Sequence, residues 1–228
     1  MAFQPPPLPP DWPYPPRPRS APAELRERAE LPGLPGTWRL VVVPGLALEA
    51  PGAASGLAFG RGGILRAGDL MLRPYRRGGL VRHVNARLYP GPGRFRREFL
   101  AHQALWDAGA PTVEPLGWAA RRRLWGWEGV YLTRHVPALP WPQAWERSDQ
   151  LAPQLDTLLR ALCAWGLLAP DLNATNLLLD AAGNLLALDW DRARWLPGQA
   201  LMARYRARLA RSLAKLGAPP EVQARFLS

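Results

Sequence analysis

The sequence predicts an α+β chain folded as two small lobes: an N-terminal antiparallel sheet with one main helix, then a reduced, mainly helical C-terminal lobe. Three observations carry this. The chain has 228 residues and 48% of them are apolar, enough for one domain, or one domain split into two lobes, around a core of useful size. Short β-branched and Gly-punctuated apolar runs dominate residues 37–136, whereas leucine stripes at helical spacing and a short-strand hairpin mark residues 137–228. A Pro-rich stretch at residues 137–142 separates the two regions and is the candidate hinge.

The elements follow in order. Residues 1–36 read as a separate extension. Nine of the first 18 residues are proline, which favours polyproline II or irregular backbone over a packed element, so disorder is expected there. Pro6-Pro7-Leu8-Pro9 has the flavour of a ligand for an aromatic groove, although a plain tail is the simpler reading. Residues 24–30 suit a helical turn or two. Residues 38–43 are β-branched and read as a strand. Residues 57–59 and 64–66 flank Gly60-Arg61-Gly62-Gly63 as a hairpin, and residues 69–75 alternate as a third strand. Phe95, Phe99, Ala104 and Leu105 put one apolar face on a helix over 94–108, which Gly109 and Pro111 end. Two more strands are expected near 115–119 and 130–134, with an aromatic hairpin around Trp125 and Trp127 between them. Leu151, Leu155, Leu158, Leu159 and Leu162 predict a second helix, N-capped by Asp149 and ended by Gly166. Residues 176–180 and 185–189 form a hairpin across a Gly-Asn turn. Residues 204–215 form a basic amphipathic helix ended by Gly217.

Composition excludes several chemistries. Lys+Arg is 29 against 18 Asp+Glu, for a net charge of +11, and Lys215 is the single lysine among 28 arginines. A mechanism needing a lysine elsewhere is excluded. One cysteine, Cys163, and three scattered histidines, His83, His102 and His135, exclude a disulfide framework and give no metal-ligand spacing. No run of 18 apolar residues exists, and residues 1–20 lack the basic start and apolar core of a secretory signal, so a cytoplasmic protein is expected. The charge favours an anionic partner: nucleic acid, lipid head groups or a phosphorylated substrate.

Asp171, Asn176 and Asp189 are the residues that suggest chemistry. Asp171 opens a loop, Asn176 stands at the entry to the second hairpin and Asp189 at its exit. A tight hairpin brings entry and exit together, so an amide oxygen and a carboxylate converge with a second carboxylate close by. Hard oxygen donors of this kind suit Mg²⁺, which keeps waters and bridges phosphates. The remaining Asp is placed to orient a hydroxyl nucleophile. Asp and Asn are also common turn residues, which is the plainer explanation of each alone.

With its five- and eighteen-residue spacings, the set resembles the catalytic core of the protein-kinase-like fold. More specifically, the chain resembles the lipopolysaccharide kinase family and, within it, the 3-deoxy-D-manno-octulosonic acid (Kdo) kinases. The resemblance rests on Leu72-Arg73-Pro74-Tyr75-Arg76-Arg77-Gly78-Gly79, on Arg97-Glu98-Phe99, on Asp171-Leu172-Asn173 with Asn176, on Asp189-Trp190-Asp191-Arg192, and on Arg211-Ser212-Leu213-Ala214-Lys215. It implies a catalytic loop carrying Asp171 and Asn173, with Asp171 the base or hydroxyl-orienting group. It implies Mg²⁺ held by Asn176 and Asp189, and ATP phosphates under a turn of Gly60, Gly62 and Gly63. Protein kinases place a lysine on the third strand; here Arg73 stands there, and an Arg73–Glu98 pair reaching the phosphates is expected. One departure is local: where the family reads His-Ala-Asp, this chain reads Ala169-Pro170-Asp171.

The resemblance thus implies an ATP-dependent sugar kinase acting on a Kdo-like hydroxyl of a lipid-linked glycan. A catalytically degenerate relative that binds nucleotide or a partner is the alternative, motivated by Ala169-Pro170, and a basic nucleic-acid-binding module is a weaker one. Arg121-Arg122-Arg123 reads as a solvated turn or, with Arg204, Arg206, Arg208 and Arg211, as a contact for an anionic membrane face, so a peripheral position on the cytoplasmic side of the inner membrane is the expected location.

Overall fold

A computed structural model describes residues 5–48, 55–57, 63–76 and 88–227. The backbone packs as two compact units. One comprises Arg19–Gln103 and Glu114–His135; the other comprises Met1–Pro18, Ala104–Val113 and Val136–Ser228.

In the first unit, strands β1 (Glu24–Leu31), β2 (Leu34–Val42), β3 (Ser55–Leu57), β4 (Ile64–Ala67), β5 (Leu70–Pro74), β6 (Pro115–Arg123) and β7 (Gly126–Arg134) form one sheet. Its order is β1-β2-β6-β7-β5-β4-β3, and every neighbouring pair is antiparallel. The period-two alternation of strands sorts the side chains onto two faces. Leu40, Val42, Leu72, Leu116, Ala119, Val130 and Leu132 build one core layer. Tyr75, Trp118, Ala120 and Tyr131 face the other way, where Phe95 and Phe99 of helix α1 (Gly93–Asp107) cover them. Gly129 makes this cover possible: a Cβ there would lie 2.4 Å from the Phe95 ring.

Residues 24–30 are strand, not the helical turns expected. Their charges alternate along an edge: Arg26 pairs with Glu24, and Arg39 of β2 reaches Glu27 at 2.9 Å. Ladder pairing to β2 outweighs the helix propensity of Glu, Leu and Arg, and charged side chains on an outer strand discourage further pairing.

The second unit corrects the expectation of a disordered extension. Leu8, Trp12 and Tyr14 pack against its core. Trp12 Nε1 donates to the Ala108 carbonyl at 2.6 Å, Trp165 Nε1 donates to the Pro6 carbonyl at 3.0 Å, and Arg17 lies over the Trp106 ring at 3.9 Å. The aromatics set between the prolines outweigh the composition. Proline lowers the entropy lost on ordering, and each aromatic adds apolar area with a polar handle. Burial pushes the Tyr14 hydroxyl up to about 12. Gly109, at φ 81, ends α1 in a left-handed cap, with Gly109 N–H bonded to Trp106 and Ala110 N–H to Leu105. A Cβ at 109 would lie 2.1 Å from the Pro15 carbonyl oxygen.

Helix α2 (Ser148–Ala164) buries Leu151, Leu155, Leu158, Leu159 and Leu162, the predicted stripe. Asp149 is not its cap. The helix starts one residue earlier, where Ser148 Oγ donates to the Trp145 carbonyl and accepts from Trp141 Nε1. The candidate hinge is also built into this unit: β8 (Ala138–Pro140) pairs with β10 (Leu177–Asp180), which pairs with β11 (Leu185–Ala187), and Trp141 is fully buried. Strands β9 (Leu167–Leu168) and β12 (Arg194–Trp195) pair, and helices α3 (Met202–Leu216) and α4 (Pro220–Leu227) close the chain.

Trp12→Ala is expected to destabilise the protein by about 2 kcal/mol, lowering the melting temperature by roughly 4–8 °C, since it removes a half-buried aromatic and its hydrogen bond. Trp125→Ala, at an 82% exposed position, is expected to leave it unchanged. Thermal denaturation followed by circular dichroism measures both.

Candidate active site

The loop around Asp171 is shaped from behind by α3. Tyr205 is buried; its hydroxyl donates to the Leu167 carbonyl at 2.7 Å and accepts the Ala169 N–H at 2.9 Å. Burial holds that hydroxyl well above the usual tyrosine range. Two helical turns on, Ser212 Oγ accepts the Ala174 N–H at 3.1 Å. Between these anchors, Leu172 N–H bonds to the Ala169 carbonyl. Ala169-Pro170-Asp171-Leu172 is therefore a β-turn with proline at its second position, where its fixed φ fits. The substituted Ala169-Pro170 thus makes a regular turn, and Tyr205 braces the backbone just before it.

Two side-chain amides converge on one backbone oxygen. Asn173 Nδ2 and Asn176 Nδ2 donate to the Asp171 carbonyl at 2.7 and 2.8 Å. Asn173 Oδ1 accepts the Thr175 N–H and hydroxyl, capping a 3-10 turn over Ala174–Asn176. Asn173 is engaged at both ends, its amide on the Asp171 carbonyl and its oxygen on Thr175. Asn176 Oδ1 makes no hydrogen bond among the described residues, and its donor half holds it in place.

The hairpin brings Asn176 beside the segment of Asp189. Leu177 faces Ala187 in register, and Leu188 N–H donates to the Asn176 carbonyl at 2.8 Å. Trp190 is 1% exposed, and its Nε1 donates to Thr112 Oγ1 at 2.8 Å; Thr112 in turn donates to the Ala187 carbonyl. With both neighbours pinned, Asp189 takes the left-handed φ of 63°, a conformation uncommon outside glycine, Asn and Asp. On α2, Gln154 bonds to Gly183 and Leu185 and fixes the hairpin's turn.

The Asp171 carboxylate is only 18% exposed and is gripped by Arg192 at 2.7 and 2.9 Å, with Arg208 at 3.8 Å. Each carboxylate oxygen has two acceptor sites, so Arg192 orients the group and still leaves it able to accept a hydroxyl. Among the described residues no cluster of three or more His, Cys, Asp or Glu side chains could hold a metal. Asn176 and Asp189 supply one amide oxygen and one carboxylate, a donor pair that fits an ion sharing its shell with water and phosphate. Cys163 is half-buried and its thiol is pushed up by burial, the opposite of an activated nucleophile.

In the first unit, Glu98 of α1 is 2% exposed and pairs with Arg73 of β5. The Tyr75 hydroxyl also donates to it, and burial, then the Glu98 charge, hold that hydroxyl well above its usual range. Arg73 lies over the rings of Tyr75 and Tyr131, whose hydroxyl meets His102 Nδ1 at 2.8 Å. Sequence reasoning gave no role to Tyr131, His102 or Tyr205 and quoted Tyr75 only within the strand motif; strand and helix periodicity put them on the apolar faces. Gly63 has φ 62, while Gly60 and Gly62 lie outside the described residues.

No family profile matches the chain. Curated proteins do. The 3-deoxy-D-manno-octulosonic acid kinase of Xylella fastidiosa strain 9a5c is 30% identical over 165 residues, covering 69% of this chain and 66% of that protein. That of Xanthomonas campestris pv. campestris strain B100 is 33% identical over 157 residues, covering 65% and 63%. The chain is a relative of the Kdo kinases. It spans just under two thirds of their length. Among solved structures, the kinase domain of a Toxoplasma gondii specific rhoptry antigen aligns at 12% identity and a TM-score of 0.41, covering 69% of this chain and 51% of that one. The α+β architecture expected of a Kdo-kinase-like chain is present: an antiparallel sheet unit with a strand Arg paired to a helix Glu, and a mainly helical unit with the Asp–Asn loop and its hairpin.

Tyr205→Phe is expected to cost about 1–3 kcal/mol, because it strands the buried Ala169 N–H and Leu167 carbonyl. Glu98→Ala leaves Tyr75 and the half-buried Arg73 without their shared acceptor and is expected to cost about 2–3 kcal/mol. Urea unfolding midpoints of the purified variants measure both.

Proposed function

We propose that the protein transfers the γ-phosphoryl group of ATP to a hydroxyl of a Kdo-like sugar on a lipid-linked glycan, working at an anionic membrane face. The observation that carries this reading is the hydrogen-bonded chain from the Asp171 carbonyl through Asn176 to Leu188 and the left-handed Asp189. It links the backbones of the three residues whose two carboxylates and amide oxygen would serve phosphoryl transfer.

Asp171 accepts the acceptor's hydroxyl hydrogen bond and points its oxygen at the phosphorus, with Arg192 setting the carboxylate's orientation. Asn176 and Asp189 would hold Mg²⁺, which supplies charge neutralisation at the phosphate oxygens when bound. Arg73, steadied by Glu98, Tyr75 and Tyr131, offers a planar fork to the α- and β-phosphates, the task a strand lysine performs in protein kinases. Gly63, with Gly60 and Gly62, would let backbone N–H groups approach the phosphates. Asn173 keeps Asp171 and Asn176 in register.

The test is transfer of radiolabel from ATP to Kdo-bearing lipid. Asp171→Ala is expected to lower kcat roughly 10²–10⁴-fold, with Mg-ATP still raising the melting temperature. Asp189→Asn is expected to abolish the magnesium-dependent part of that rise, and Arg73→Ala to weaken ATP binding about tenfold. Transfer that survives both Asp substitutions would overturn the site; nucleotide stabilisation with no transfer to any sugar acceptor would assign the chain to nucleotide binding alone.

A further inference from the structure

Leu124 and Trp125 form the two-residue turn of the β6–β7 hairpin and are 81% and 82% exposed. The turn does not call for them. Such turns favour Asn, Asp or Gly, and neither residue has a positive φ. The fold does not call for them either: Ala120 is the last buried residue of β6, yet the strands stay paired out to Arg123 and Gly126. Tyr89 and Trp127 exchange two hydrogen bonds of 2.8 Å and buttress the hairpin. The result is a stiff finger with a convex apolar tip.

The collar of the finger is cationic. Arg121, Arg122 and Arg123 precede the tip, against Glu128 as the carboxylate that pairs with Arg121 and Arg123. Arg122 is exposed and lies over the Trp127 ring at 5.7 Å. The whole chain carries +11, and no helix among the described residues is long and apolar enough to cross a membrane.

We propose that this tip is a membrane-insertion finger: Leu124 and Trp125 enter the boundary between head groups and acyl chains of an anionic bilayer, and Arg122 and Arg123 meet the lipid phosphates. Tryptophan prefers that depth, an apolar tip with basic flanks binds there by area and charge together, and anionic lipid attracts each arginine near the surface. A protein partner is a poorer fit, because a specific interface needs about 800 Å² from each side, far more than two convex residues offer. The inference gives the membrane position of the proposed function a surface, but it rests on the finger's own chemistry, so vesicle binding and phosphoryl transfer can fail separately.

The experiment is co-sedimentation of the full chain with phosphatidylcholine vesicles, with and without phosphatidylglycerol. The wild type is expected to bind the anionic vesicles and to release as salt rises. The Leu124→Ser/Trp125→Ser pair and the Arg122→Glu/Arg123→Glu pair are each expected to bind about tenfold more weakly or worse, with melting temperatures unchanged. Phosphorylation of a soluble acceptor is expected to be the same in the Leu124→Ser/Trp125→Ser pair. Vesicle binding unaffected by that pair overturns the proposal. So does an apolar tip that instead mediates dimerisation or RNA binding, read by sedimentation velocity and gel shift, without vesicle binding.

Discussion

The carbonyl oxygen of Asp171 is the point on which the site's shape depends. A backbone carbonyl has two lone pairs and ordinarily spends them on a ladder or helix. Here both go to side-chain amides, those of Asn173 and Asn176. One bond ties the loop into a short cap; the other fixes Asn176 so that its oxygen half stays available. Because Asn176 also receives Leu188 N–H, the same oxygen sets where the hairpin exit, and so Asp189, begins. Removing either amide would leave the loop to a turn that Pro170 alone cannot specify.

The sheet unit solves a different problem with the same logic. A carboxylate 2% exposed is costly unless its acceptor sites are filled. Glu98 is filled by Arg73 and the Tyr75 hydroxyl, and Arg73 is then flanked by two tyrosine faces. The guanidinium's planar shape explains why an arginine can stand there: it stacks on rings as an ammonium group cannot, and it keeps donors in a fixed fork. The long aromatic layer of Tyr75, Phe95, Phe99 and Tyr131 is the scaffold that makes the pair rigid.

Much of this was legible in residue order. The leucine stripe of α2, the short hairpin around residues 177–187, helix α1 with its glycine stop, and the spacing of Asp171, Asn176 and Asp189 all follow from periodicities and turn chemistry that act within a few residues. The Arg73–Glu98 pair was legible through resemblance to a fold with a strand cation and helix anion. What misled was composition. Prolines at residues 5–18 suggested disorder, although Leu8, Trp12 and Tyr14 among them find partners ninety or more residues away. Glu24–Leu31 has helix-forming residues but becomes an edge strand because β2 offers it a ladder. Arg121-Arg122-Arg123 read as a solvated turn or a contact for an anionic membrane face, and the exposure of Leu124 and Trp125 beside them is not written in the sequence.

Local order alone determined helices α1, α2 and α3, most strands and the spacing of Asp171, Asn176 and Asp189, because propensity, capping and hairpin closure are short-range effects. Tertiary structure decided how those residues are held. It turned Asn173 into a cap, recruited Tyr205 and Ser212 from α3 to hold the Asp171 loop, and set Asp189 in a left-handed backbone between two pinned neighbours. These outcomes depend on which groups distant segments leave unsatisfied when they pack, and no window along the chain contains that information.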